Sequence, residues 1–234
     1  MGKDKARVAA IVPAYNEGSR ISSVLDVIER AELVDQILVV SDGSTDDTYE
    51  VAAARPSIRA IRLETNRGKS WAMCEGAKAT DAGILLFLDA DLVGLKPEQV
   101  DDLVRPVLSG DADMAVGVFR GGRGMTDLAQ ILVPYISGQR ALRREVFLSI
   151  PEIDGLRSGV EMAITKYFNA RGLTVRSVVL SGVTHPMKEE KIGLLRGFAS
   201  RLRMYRDIAQ VLTNGHAIVN AAKQARDSLR AGKR

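Results

Sequence analysis

Apolar and polar positions follow two rhythms along this chain: short runs rich in β-branched residues, and longer stretches with helical spacing. Arg7 to Val12 is a β-type run that ends at Pro13. The polar loop Pro13-Ala14-Tyr15-Asn16-Glu17-Gly18 then leads into a helical pattern from about Ser19 to Arg30. The theme repeats with a strand over Gln36 to Val40, the turn Ser41-Asp42-Gly43-Ser44-Thr45, and a helix through Ala54. The first turn of that helix is expected to carry Asp46 and Asp47, where acids suit the helix dipole. Ile58 to Leu63 supplies a third strand, and Asn66-Arg67-Gly68-Lys69 opens a helix running to about Thr80. After Gly83 comes Ile84-Leu85-Leu86-Phe87-Leu88-Asp89-Ala90-Asp91, an apolar run that ends on two carboxylates. Strands alternating with helices at this spacing predict an α/β fold, a mostly parallel sheet flanked by helices.

The second half of the chain is looser. A helix with Pro97 in its first turn is expected from Lys96 to Leu108, and a strand from Asp113 to Phe119. Gly121-Gly122-Arg123-Gly124 reads as a mobile loop over a site, ahead of an amphipathic segment from Thr126 to Ile136. Ser137 to Leu142 is expected to be a strand crossing the sheet edge, followed by a helix from Gly159 to Ala170 and a strand from Leu173 to Leu180. His185 lies just beyond. From roughly Lys191 to Leu212 the pattern is an amphipathic helix, with Leu195, Phe198, Leu202, Tyr205, Ile208 and Leu212 on one face and Arg196, Arg203 and Asp207 opposite. The expected organisation is therefore a domain over 1–190 and a C-terminal helical extension over 191–234 packed on it.

Composition narrows the partners. A net charge of +4 over 234 residues with only 5% aromatics argues against a nucleic-acid surface and for anionic small molecules or lipids. Cys74 is the single cysteine, which excludes an intramolecular disulfide or a cysteine-based zinc site, and its helical context favours a buried structural thiol. No apolar run approaches the roughly 20 residues of a membrane span, and the start of the chain is unlike a signal peptide. A cytoplasmic location is expected. The basic helix with Arg196, Arg201, Arg203 and Arg206 fits a packed, solvated or homodimer-forming element, or peripheral contact with the inner face of the cell membrane.

The candidate chemistry gathers at one sheet edge, because the ends of the first, second and fourth strands all carry polar groups. In an extended segment Asp89 and Asp91 point the same way and can serve one hard cation, which needs few protein carboxylates when a diphosphate completes its shell. By itself an Asp-x-Asp fits a turn equally well. Gly68-Lys69 at a helix start resembles a phosphate cradle but lacks the Walker pattern.

Taken together, Pro13-Ala14-Tyr15-Asn16-Glu17, Asp42-Gly43-Ser44-Thr45-Asp46, Asn66-Arg67-Gly68-Lys69 and Asp89-Ala90-Asp91 resemble the motifs of family 2 glycosyltransferases, over about residues 7 to 182. The resemblance implies the GT-A (Rossmann-like) fold. It also implies that Pro13, Ala14, Tyr15 and Glu17 border a uridine, that Asp42 sits near uracil and Lys69 close to the nucleotide, and that Asp89 contacts ribose or sugar. Asp91 and His185 would hold Mg2+ or Mn2+. Glu161 lies where inverting members present a base to the acceptor, although an acid in a first helical turn needs no such role. Ser137-Gly138-Gln139-Arg140 resembles a loop that shapes the acceptor pocket.

The activity so implied is metal-dependent transfer of a hexose from a nucleotide sugar, UDP-glucose foremost, to a small phosphorylated or lipid-phosphate acceptor. Both glucosyl-3-phosphoglycerate synthase-like enzymes, which retain anomeric configuration, and polyprenyl-phosphate glycosyltransferases are similar to this chain. Two alternatives belong to other classes. One is a catalytically silent nucleotide-sugar-binding protein. The other is a nucleotidyltransferase, which would need an early Gly-rich loop that Pro13 to Gly18 does not offer.

Overall fold

The computed structural model describes residues 6–120, 137–156 and 159–184. In chain order these form β1 (Val8–Ala14), α1 (Gly18–Ile28), β2 (Gln36–Asp42), α2 (Thr48–Ala53), β3 (Ile58–Leu63), α3 (Lys69–Lys78) and β4 (Ile84–Phe87). Then follow α4 (Pro97–Leu108), β5 (Met114–Arg120), β6 (Arg140–Arg143), α5 (Arg144–Leu148), a 3-10 turn (Ile153–Gly155), α6 (Val160–Ala170) and β7 (Val175–Ser181). The strands make a seven-stranded sheet in the order β3-β2-β1-β4-β6-β5-β7. Every pairing is parallel except those of β6, which runs antiparallel to both β4 and β5.

Period-two alternation along the central strands explains the layers. Val8, Ala10 and Val12 of β1 and Ile84 and Leu86 of β4 face Ile21 and Leu25 of α1 and Leu103 and Val104 of α4. The intervening Ala9, Ile11, Leu85 and Phe87 face Met73 of α3, Phe147 of α5 and Ile164 and Phe168 of α6. Helices therefore cover both faces, and burial of each large aliphatic side chain contributes about 1.5–3 kcal/mol. Phe87 and Phe147 meet with ring centroids 4.9 Å apart. Cys74 belongs to this second layer, where burial pushes its thiol up to about 11, as suits an inert core group.

Three departures from the sequence pattern matter for the site. First, β1 does not end at Pro13 but continues to Ala14, pairing there with β2 alone. The Ile11 carbonyl accepts from Leu88 N on the β4 side, so the proline two residues later faces the side where that ladder has ended and forfeits no sheet hydrogen bond. Second, Asp46 and Asp47 precede α2 rather than occupying its first turn. Third, the strand expected to cross the sheet edge lies inside the sheet, between β4 and β5, and is confined to Arg140–Arg143. The antiparallel direction brings the start of β6 to the end of β4, with Phe87 opposite Arg140. The glycine loop over 121–124, the segment over 126–136, His185 and the extension over 191–234 lie outside the described residues.

Candidate active site

Parallel strands deliver their C-terminal ends to one edge, and the predicted residues follow. Pro13 and Ala14 end β1 as buried residues, and Tyr15 emerges with 47% of its surface exposed. Asn16 takes the left-handed conformation, φ 54°. Its side-chain oxygen accepts from Thr45 N at 2.9 Å, while its own N–H donates to Ser44 Oγ at 3.2 Å. Glu17 N donates to Thr48 Oγ1 at 2.8 Å, and the Glu17 carboxylate lies 3.5 Å from Arg20. The first and second loops are thus tied together before any ligand arrives. Asp46 is the knot, accepting from Gly18 N at 3.0 Å and from both the N–H and the hydroxyl of Thr48. Burial would raise its pKa, but these hydrogen bonds outweigh it and hold the carboxyl below its ordinary range.

Asp42, the last residue of β2, is 3% exposed and accepts from Arg67 N at 3.0 Å and Gly68 N at 2.8 Å. It orders the turn that opens α3. Gly43 (φ 66°) completes the crossing, since a Cβ there would overlap the backbone of Thr65 and Asn66. Beside it, the Arg67 guanidinium lies 3.3 Å from the centre of the Trp71 ring, a cation–π stack on the exposed flank of α3.

Lys69, the first residue of α3, reaches the middle of the edge. Its Nζ lies 2.5 Å from Asp89 Oδ1 and 2.7 Å from Glu161 Oε1. Burial would lower the lysine pKa, but the two carboxylates more than reverse this, and the ammonium titrates above the usual lysine range. Asp89 Oδ2 in turn accepts from Gln139 Nε2 at 2.6 Å. Gly138 lies against the same pair, where a Cβ would fall 2.5 Å from Asp89 Oδ2 and 2.6 Å from Lys69 Nζ. Arg140 is wholly buried and donates to the Glu161 carbonyl at 3.1 Å and to the Ser137 carbonyl. Burial pulls its guanidinium down to about 10 against the attraction of Glu161 and Asp89, so it carries its charge at neutral pH.

Of the predicted residues, Lys69, Asp89 and Glu161 are in direct contact, and Asp91 is partly buried two residues beyond Asp89. The backbone of Thr184 pairs with Val93 through two hydrogen bonds of 2.9 Å, so the chain immediately before His185 runs beside the segment carrying Asp91. Among the described residues no three His, Cys, Asp or Glu side chains converge as a ready-made metal cage. A carboxylate such as Asp91 suits a hard ion that takes most of its oxygens from a diphosphate. The anchoring roles of Asp46, Gln139 and Arg140 were missed in the sequence. The motif containing Gln139 and Arg140 was visible, but nothing in it marked the arginine as buried.

Residues 9–166 match the family model for Glycosyl transferase family 2. Glucosyl-3-phosphoglycerate synthase of Mycobacterium tuberculosis is 30% identical over 215 residues, covering 75% of this chain. The chain spans 65% of the length of that relative. Dolichol-phosphate mannosyltransferase of Pyrococcus furiosus is 29% identical over 167 residues, covering 60% of this chain and 47% of that one. Among solved structures, glucosyl-3-phosphoglycerate synthase from M. tuberculosis with Mn2+ and uridine-diphosphate-glucose is similar with a TM-score of 0.65 at 29% identity, covering 80% of this chain and 74% of the other. The same protein with Mn2+, uridine-diphosphate and phosphoglyceric acid gives a TM-score of 0.64 at 30% identity and the same coverages. With its seven-stranded GT-A sheet and a family match over most of the described residues, this chain belongs to the family 2 glycosyltransferases.

Proposed function

We propose that this chain is a metal-dependent hexosyltransferase that takes a hexose from a UDP-sugar, UDP-glucose foremost, and passes it to a small phosphorylated hydroxyl acceptor of the phosphoglycerate type. The observation that carries the reading is the contact of Lys69 with both Asp89 and Glu161 at the strand ends, two residues from Asp91. The likeness to structures holding Mn2+, UDP-glucose and phosphoglyceric acid supports it.

In this reading Tyr15, with Pro13, Ala14 and Glu17, borders the uridine, and Asp42 fixes the Arg67–Gly68 turn beside uracil. Asp89 receives the ribose or sugar hydroxyls. Asp91 and His185 would hold Mg2+ or Mn2+, whose charge would offset that of the diphosphate leaving group. Lys69 adds a cation near the same oxygens, where negative charge grows as the bond from the anomeric carbon to the diphosphate breaks. The acceptor hydroxyl oxygen forms the new bond to that carbon. Glu161, an acceptor of hydrogen bonds through its carboxylate, orients the hydroxyl and takes its proton if the reaction inverts. In a retaining reaction it orients only, and the hydroxyl proton passes to the departing diphosphate oxygen.

A lipid-phosphate acceptor is the second reading, supported by the likeness to dolichol-phosphate mannosyltransferase. No described helix is long and apolar enough to cross a membrane. The deciding experiment offers UDP- and GDP-sugars with Mn2+ or Mg2+ and follows nucleotide release with 3-phosphoglycerate or a polyprenyl phosphate. Release that depends on UDP-glucose and phosphoglycerate is expected. Release only with the lipid favours the second reading, and none with any donor refutes both.

A further inference from the structure

The contacts around Lys69 close into a ring. Lys69 bridges Asp89 and Glu161, Gln139 donates to the second oxygen of Asp89, and Arg140, the next residue, holds the backbone of Glu161. Thr165 Oγ1 donates to the same Glu161 carbonyl at 2.9 Å and lies 3.5 Å from Arg140 Nη1. The second guanidinium nitrogen, Nη2, donates to the carbonyl of Ser137, whose hydroxyl is 2.6 Å from the Gly117 carbonyl of β5. One buried side chain therefore joins the wall that touches Asp89 to the helix that carries Glu161.

We infer that Arg140 is a positioning residue for the transfer reaction, setting the distance between the donor-side acid Asp89 and the acceptor-side acid Glu161. The inference rests on the proposed glycosyltransferase reading of the site. Energetics support it. A fully buried arginine whose hydrogen bonds go to backbone carbonyls is expensive, and a well-packed apolar side chain in its place is often neutral or stabilising. Stability alone gives β6 no reason to begin on a guanidinium. Its geometry does, because a single planar group with several donors reaches Glu161 and Ser137 together, which an apolar side chain cannot do. Arg140 bonds to the Glu161 and Ser137 carbonyls and lies against Thr165, so its effect runs through Glu161 and the Ser137–Gln139 wall.

The test compares wild type, Arg140→Met and Arg140→Lys in two ways: steady-state transfer from UDP-glucose to 3-phosphoglycerate with Mn2+, and amide hydrogen exchange. Arg140→Met is expected to lower kcat on the order of 100-fold, the size associated with misplacing a reacting group by about 1 Å, with donor KM unchanged. Arg140→Lys, able to keep one of the two carbonyl contacts, recovers part of that loss and serves if the methionine variant does not fold. Exchange in the variants rises only over 137–139 and 160–165. Wild-type kcat in both variants overturns the inference, as does an exchange increase spread through all the central strands, which marks a general packing role. Absence of transfer by wild type counts against the glycosyltransferase reading instead. The exchange pattern then decides the positioning role alone, with localised loss supporting it and wild-type protection overturning it.

Discussion

Lys69 and Glu161 stand 92 residues apart in the chain, yet the lysine ammonium lies 2.7 Å from the glutamate carboxylate because α3 and α6 both start at the edge where β4 ends. The same ammonium holds Asp89, so one cation bridges the two acids. Removing it leaves two carboxylates facing each other across the site. Lys69→Met is expected to lower kcat/KM by about 100- to 1,000-fold, the range seen on losing one transition-state donor. Steady-state kinetics checks this, and a variant within a few-fold of wild type removes Lys69 from the chemistry.

Gly138 lies against that pair, with no room for a Cβ beside Asp89 and Lys69. Gly138→Ala must push the wall, Asp89 or the Lys69 ammonium aside. The expected result is a fall in kcat on the order of 100-fold with a cooperative unfolding transition retained. Comparing the kinetics with thermal melts separates a displaced acid from a misfolded chain.

Tyr15 is exposed at the end of β1, where a uracil ring would find an aromatic face. Base stacking of this kind is worth about 1–3 kcal/mol, so Tyr15→Ala should weaken UDP binding by roughly 10- to 100-fold. Calorimetric titration of UDP with Mn2+ measures it directly. Unchanged affinity would move the base elsewhere.

Asp42 and Asp46 brace the loops. Asp42→Ala strands the Arg67 and Gly68 amides and should cost about 1.5–3 kcal/mol in denaturant unfolding. Asp46 gives a pH signature. Its native pKa is depressed, so the stability it contributes is present above the unfolded aspartate value of about 3.9 and is lost as pH falls through the lower native value. Asp46→Asn should flatten the stability curve in that acid window and leave its slope at neutral pH unchanged. A curve as steep as wild type below pH ~4 would assign the acid sensitivity to other carboxylates.

Much of this was legible in the linear pattern, and the failures share a cause. Ile58–Leu63 reads as a strand and is β3, and the run from Ile84 does deliver Asp89 and Asp91 to the site edge, although the strand itself stops at Phe87. Period and turn chemistry are local properties, so they survive in one dimension. Pro13 reads as a stop because its missing N–H is costly in most strands. Only the pairing of its neighbours shows that β4 has already left. Nothing in Ser137-Gly138-Gln139-Arg140 marks the arginine as buried, since its burial depends on β6 entering between β4 and β5. The link from Asp42 to Arg67 and Gly68 likewise belongs to the crossing of two loops, which no spacing within either motif encodes.

In the proposed reaction Asp91 would bring a divalent ion to the diphosphate of a sugar nucleotide. The most direct measurement is UDP release from UDP-glucose in the presence of Mn2+ and 3-phosphoglycerate, by wild type and Asp91→Ala, with and without a chelator. Saturable release is expected that the chelator abolishes and that falls on the order of 1,000-fold in the variant, as befits loss of the charge that stabilises the leaving group. Release that survives both the chelator and Asp91→Ala would contradict it.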